Sequence, residues 1–230
     1  MSHPSSEDKI IDAIEAELEE IRREPGKMHR WSFLVAVLII GILLSVISAN
    51  LTIGPRWSIL VVVSLLLIPL LAAILLDRHR WTRRLAFTIV FVLTIGLITS
   101  VIFLVDALFV THTENAYSLF RDALLLWSAN VVLFAIWYWE VDQGGPRRRH
   151  SAQSAASDFL FPQMSSSMDL WNDWKPSFTD YVFLAFNTST AFSPTDTLAM
   201  SKRAKLLMMT QASISLVILA VLAARAINIA

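Results

Sequence analysis

The chain has 230 residues, 55% of them hydrophobic, with a mean hydropathy of +0.57 and zero formal net charge. An ordinary soluble domain is about 45–50% apolar, so the excess points to a membrane protein, and the balanced charge supplies no field to draw nucleic acid. The lack of cysteine excludes disulfides, thiolate catalysis and cysteine-ligated metals.

The first 30 residues carry eight acids and five bases, unlike the short basic region and apolar core of a signal peptide. The first apolar run is therefore expected to be an uncleaved anchor. Before it, Ile10, Ile11, Ile14, Leu18 and Ile21 recur at helical spacing. This predicts an amphipathic cytoplasmic helix over 5–24, capped by Ser5 or Ser6 and stopped by Pro25-Gly26. Residues 1–30 thus form a first unit, which packs on the protein's own loops or docks another chain.

Uncharged runs cover 31–55, 57–76, 85–105, 123–139 and 206–224. A helix needs about 20 apolar residues, with a range of about 17–25, to cross bilayer hydrocarbon, so all five qualify as spans. The first four make a membrane bundle over 31–142. Its spans are Trp31–Ile53, Trp57–Leu76 with a kink at Pro69, Leu85–Phe109 and Tyr117–Trp139. "DRHRWTRR" at 77–84 closes a hairpin, and "WYWE" at 137–140 suits an interfacial aromatic belt. A basic, polar loop follows at 143–176. In it "DFLFPQM" either lies on the membrane surface or plugs a groove.

Lys and Arg fix the orientation. Five lie in the first segment, four in 77–84 and four in 140–176, against one in each alternate loop, Arg56 and Arg121. The positive-inside rule then places the amino terminus and the Arg147–Arg149 cluster in the cytoplasm.

The last unit, 177–230, opens on "DYVFLAFNTSTAFSPTDT". It begins as a membrane helix and turns into hydroxyls, an amide, a proline and a carboxylate. The uncharged part, Tyr181–Thr195, would reach about 22 Å as a helix, short of the hydrocarbon thickness of about 30 Å, and Pro194 ends regular helix. Backbone freed at that depth must be buried in protein or line a wet cavity. Two paths are open: a full crossing, or a re-entrant dip over 178–193 that keeps the bases of "SKRAK" (201–205) with Arg147–Arg149.

Two resemblances rest on these residues. "SFTDYVFLAFNTSTAFSPTDTLAMSKRAKLLMMTQASISLVILAVLAARAINI" resembles the pore-helix, filter and inner-helix unit of tetrameric potassium channels, which implies a pore loop. The corresponding filter run, "TAFSPTD" at 190–196, has no glycine to present successive carbonyls to an ion. "WYWEVDQGGP", "DFLFPQM" and "DYVFLAFNTSTAFSPTDT" with the final span resemble an uncharacterised bacterial family of integral membrane proteins. That resemblance implies a polytopic inner (plasma) membrane protein and no particular chemistry.

The expected fold is an all-α polytopic transmembrane bundle: five full spans, one short polar-ended helix and the amino-terminal helix. The leading function is a channel- or transporter-like module for a small ion or polar solute. Asn187, Thr188, Ser189, Thr190, Ser193, Thr195 and Asp196 would line its cavity, because a half-helix inside a membrane aims dipole ends and unwound carbonyls at a solute. Glu140 and Asp142 are rim charges, read as ion-pair partners of Arg147–Arg149, Lys202 or Arg203, or else as a cation-attracting vestibule. The alternative function is a non-conducting interaction or scaffold protein in which the polar turn is a buried plug. Asn130 and Gln211 are expected to form interhelical hydrogen bonds. No histidine has metal-ligand spacing, no catalytic motif occurs, and no cofactor, metal or enzymatic activity is expected. The partners are the lipid bilayer and, as candidates, a small ion or solute and a second copy of the chain; nucleic acid is not among them.

Overall fold

A computed structural model describes residues 25–47, 61, 64–65, 67–72, 79–109, 116–149, 156–168, 171–172, 174–190 and 196–227. The amphipathic helix expected over 5–24, most of the span at 57–76, and Ser193, Pro194 and Thr195 lie outside the described residues.

Long uncharged runs become long helices. α1 is Pro25–Val46, α2 is His79–Phe109 and α3 is Ala116–Val141. Short elements follow: α4 (Pro146–Arg149), β1 (Phe159–Leu160), α5 (Pro162–Ser165), α6 (Phe178–Thr190) and β2 (Leu198–Ala199). The last helix, α7, is Lys202–Ile227. Among the described residues the chain is all-α apart from the two-residue β1–β2 pair. Among the described residues three stretches are long and apolar enough to cross a membrane: Trp81–Leu108, Tyr117–Gly144 and Lys202–Ala224. At 1.5 Å per residue each exceeds the roughly 30 Å of bilayer hydrocarbon. The described part of α1 contributes a shorter apolar stretch, Leu34–Val46, and residues 67–72 around Pro69 are helical.

One boundary differs from the sequence reading. The basic run at 77–84 is not all hairpin, because α2 already begins at His79. Arg is a good helix former, and its long stem lets the guanidinium reach the polar boundary while the backbone stays helical.

α3 is the hub. It packs against α1, α2, α6 and α7 and is the most enclosed of the three long helices. One apolar core joins α1, α2, α3 and α7 through residues such as Val37, Ile40, Ile89, Leu97, Ala123, Leu126 and Ile218. A second, aromatic core gathers at the carboxy-terminal end of α3. There Tyr138 and Trp139 meet Phe159, Phe161, Tyr181 and Leu184. Trp139 and Tyr181 cross edge-to-face with centroids 5.5 Å apart, and Phe161 meets Tyr181 at 5.4 Å. "WYWE" is therefore only partly a lipid-facing belt, since Tyr138 and Trp139 are fully buried. The reason is local: "DFLFPQM" folds over them and its two phenylalanines fill the groove, the plug outcome of the two left open.

The α3 terminus is shaped by "QGG". Gln143, Gly144 and Gly145 all have positive φ, at 53°, 79° and 97°, and the Gly145 N–H donates to the Asp142 carbonyl at 2.8 Å. A Cβ on Gly145 would sit 3.3 Å from the Glu140 carbonyl oxygen. Its backbone region belongs almost wholly to glycine, at about 1–3 kcal/mol for other residues. Gly145→Ala is expected to lower the thermal midpoint of the purified protein by that order of stability, whereas alanine at Gly96, where a Cβ meets nothing within 4 Å, is expected not to.

α6 and α7 start at the same end of the bundle. The Phe178 ring lies 5.7 Å from that of Trp139, near the end of α3. Arg203, one residue into α7, binds Asp158, whose N–H bonds Asp142. β2 pairs antiparallel with β1, Phe159 opposite Ala199 and Leu160 opposite Leu198, and the Met200 N–H donates to the Asp158 carbonyl. α6 rises about 20 Å, yet β2 lies beside the end at which α6 begins, since its partner Phe159 meets Tyr181. Ser177 and Asp180 fix the start of α6: the Ser177 N–H and hydroxyl both donate to the Asp180 carboxylate at 2.7 Å, the carboxylate half of a capping box. α6 ends at Thr190, ahead of Pro194, consistent with the restriction proline imposes on the residues before it.

Candidate functional site

The polar groups of α6 meet those of α3 and α7 in two tiers. The deeper tier centres on Gln211. Its Nε2 donates to the Ala185 carbonyl at 2.8 Å and to Ser189 Oγ at 2.7 Å, and its Oε1 accepts from the Tyr138 hydroxyl. Nearby, Asn130 Nδ2 donates to Ser215 Oγ at 2.8 Å and to the Gln211 carbonyl at 3.3 Å. Asn130, Tyr138, Ser189 and Gln211 are wholly buried and Ser215 nearly so. Three helices are thus tied by one carboxamide whose donors and acceptor are all used. Asn130 and Gln211 form interhelical bonds, as the sequence predicts. Asn130 Oδ1 and Trp127 Nε1, one turn apart on α3, are buried without a hydrogen-bond partner.

The second tier sits where α3 ends. Asp142 is completely buried. Its carboxylate accepts from the Tyr181 hydroxyl at 2.5 Å and from the Asp158 and Phe159 amides at 2.7 and 3.3 Å. A carboxylate at a helix carboxy terminus opposes the helix dipole. Arg149 offsets this: its guanidinium lies 4.6 Å from the Trp139 ring centroid and 4.8 Å from that of Tyr181. Its Nη2 donates to the Trp139 carbonyl at 2.9 Å and the Asp142 carbonyl at 3.4 Å. Arg149 thereby caps the Trp139 carbonyl near the end of α3 and shares the Asp142 carbonyl with the Gly145 N–H. Its Nε and Nη1 have no hydrogen-bond partner. Glu140, also buried, lies in the field of Arg83 and Arg149.

Asp158 carries the tier outward. Its carboxylate accepts two bonds from Arg203, from Nε at 2.7 Å and from Nη2 at 2.5 Å. Burial pushes the Asp158 carboxyl up, but hydrogen bonds from Arg203 and Ser201, with the Arg203 charge, outweigh it and hold the group below its usual range. A depressed folded-state pKa means the stabilisation is complete above the unfolded value, about 3.9, and is lost as pH falls through the folded value. Protease protection of residues 156–165 is expected to be constant from neutral pH down to about 5 and to fall only below the ordinary aspartate range. A loss between pH 7 and 6 would contradict this.

The residues predicted to line a solute path separate. Ser189 is buried and takes a bond from Gln211. Thr188 Oγ1 donates to the Leu184 carbonyl at 2.8 Å and also meets the Tyr138 hydroxyl of α3, whereas Thr190 Oγ1 turns back on α6, donating to the Asn187 carbonyl at 3.1 Å. Asn187, Thr188 and Thr190 are half-buried. Asp196 is exposed, just before β2, at the end where α6 began. Ser193 and Thr195 fall outside the described residues. Glu140 and Asp142 lie on the aromatic core, not on an open rim. A groove of about 330 Å³ runs elsewhere, between α2 and α7, lined by Ile98, Val101, Ile102, Val105, Ser213, Ile214 and Val217.

Sequence reasoning did not single out Tyr138, Arg149 by itself, Tyr181, Asp158 or Ser215 as site members. The signals were weak: "WYWE" reads as a belt, and Ser215 is a lone hydroxyl within an apolar run. Among the described residues no three His, Asp or Glu side chains cluster as a metal site. No protein-family model matches the chain, and searches of curated proteins and of solved structures find no significant match.

Proposed function

We propose that this chain is a multi-pass protein of the bacterial inner (plasma) membrane that does not conduct, and that it serves as a membrane interaction or scaffold module. In this reading it has five spans and a cytoplasmic amino terminus, α6 is a re-entrant plug, and the end bearing Arg83, Arg149 and Arg203 faces the cytoplasm. It carries no catalytic site. The observation behind the reading is Gln211: every polar atom of its carboxamide is spent on holding α6 to α3 and α7, which leaves no donor or acceptor on it to pass a solute along. The amino-terminal helix at 5–24 is then the segment that recruits a partner, a second copy or another chain.

A second reading keeps a conduit for a small ion or polar solute. It is favoured by the buried, unpartnered Asn130 Oδ1 beside Ser215. Ion and solute flux through liposomes containing the purified protein separates the two. The expected result is flux equal to that of empty liposomes for wild type and for Asn130→Leu. Flux above that background, abolished by Asn130→Leu, would replace the scaffold reading with the conduit.

A further inference from the structure

The first turns of α7 present an unusual outer face. Lys202, Lys205, Leu206 and Met209 are all exposed, and at 100° per residue they fall within one arc about 100° wide. The opposite face is closed by Ala204 and Gln211, both completely buried. Immediately before, β2 places Leu198 outward, 57% exposed, and Met200 follows in alternation, 56% exposed. Ser201 joins them to α7, its Oγ accepting from the Ala204 N–H at 3.1 Å to start the helix. Apolar side chains and ammonium groups therefore share one surface, stacked over about 10 Å along the helix axis.

Asp158 is taken up by Arg203, and among the described residues no carboxylate pairs with Lys202 or Lys205. The two lysines lie in the first turns of a helix long and apolar enough to cross a membrane, so they stand at the level where lipid head groups begin. Below them Leu206 and Met209 face the acyl chains. An acidic soluble protein would match the ammonium groups but not four exposed apolar side chains beside them. A phospholipid matches both, with its phosphate on the bases and its acyl carbons on the apolar residues.

We infer that this face is a binding surface for anionic phospholipid, seated with its head group between Lys202 and Lys205 and its upper acyl chain against Leu198, Met200, Leu206 and Met209. Attraction of a base to an anionic leaflet amounts to about 5-fold in partitioning per lysine. Two lysines give a preference of about 25-fold for anionic over zwitterionic lipid at this position.

The chain has no cysteine, so a fluorophore can be attached at a single Thr210→Cys on the exposed side of α7. The full-length labelled protein is placed in bilayers that contain, at equal mole fraction, acyl-brominated phosphatidylglycerol or acyl-brominated phosphatidylcholine. Quenching gives the relative association of each lipid with this face. The expected result is association with phosphatidylglycerol stronger by at least about 10-fold, falling to near parity in Lys202→Gln/Lys205→Gln. Leu198→Ser/Met200→Ser is expected to weaken quenching by both lipids alike. Retained quenching by phosphatidylcholine in the lysine variant shows that the helix is still seated. Equal quenching by the two lipids in wild type, or a preference that survives loss of both lysines, overturns the assignment. So does inorganic phosphate altering the label in zwitterionic bilayers as phosphatidylglycerol does.

Discussion

Gln211→Leu is expected to cost about 2–3 kcal/mol of stability, read as a lowered midpoint of thermal or detergent unfolding. The figure follows from its three bonds. Interhelical bonds in membrane proteins average about 0.6 kcal/mol and reach about 1.7. Leucine also takes away the partner of Ser189 Oγ and leaves the Tyr138 hydroxyl with Thr188 alone, in a site where an unpaired buried group costs about 1–3 kcal/mol; the Ala185 carbonyl keeps its bond within α6. The coupling is testable. Ser189→Ala alone is expected to cost about 1 kcal/mol or less, and little more when added to Gln211→Leu, because its partner has already gone. Fully additive costs would mean that Ser189 and Gln211 act independently, and that α6 is held by packing alone.

The second large effect belongs to Asp142. Asp142→Ala is expected to destabilise by about 3 kcal/mol or more, since bonds to a charged acceptor contribute about 1.5–3 kcal/mol each and four donors converge on this carboxylate: the Tyr181 hydroxyl, the Asp158 and Phe159 N–H groups and, at 3.5 Å, the Ser157 hydroxyl. Asp142→Asn separates charge from geometry. Its amide oxygen can still accept from the Asp158 and Phe159 N–H groups, and the Tyr181 hydroxyl can rotate to accept from the amide nitrogen. The Asn variant is therefore expected to retain more than half of what alanine loses. Equal losses would show that the negative charge, answering the buried Arg149, is what matters, as in a buried ion pair broken from one side.

Residue by residue, the sequence was informative where a property is local. The uncharged runs at 85–105, 123–139 and 206–224 became long helices, "QGG" became a turn with three positive φ angles, and the hydroxyl-rich half of α6 proved to be buried or half-buried. Pairing was not legible, because it depends on residues far apart in the chain. Asn130 and Ser215 are separated by 85 positions, Tyr138 and Gln211 by 73. Nothing within either window says which face will meet which. The same distance effect parts Asp196 from Ser189. The two are seven residues apart in sequence, yet the return of the chain carries Asp196 to the other end of α6. Arg149 is a different case. As the last base of "RRR" it reads as a topology signal, and its enclosure between two aromatic rings depends on α4 folding back over the end of α3.

The return path of α6 has a consequence for how the protein is made. Its first turn is held by α3, translated before it, through the Tyr181–Asp142 bond, whereas its far end is tied by Gln211, translated after it. During synthesis Ser189 therefore has no partner until at least 22 more residues have joined the chain. The bond between α6 and α7 forms only as the last helix arrives, and a ribosome stalled before residue 211 would leave Ser189 without it.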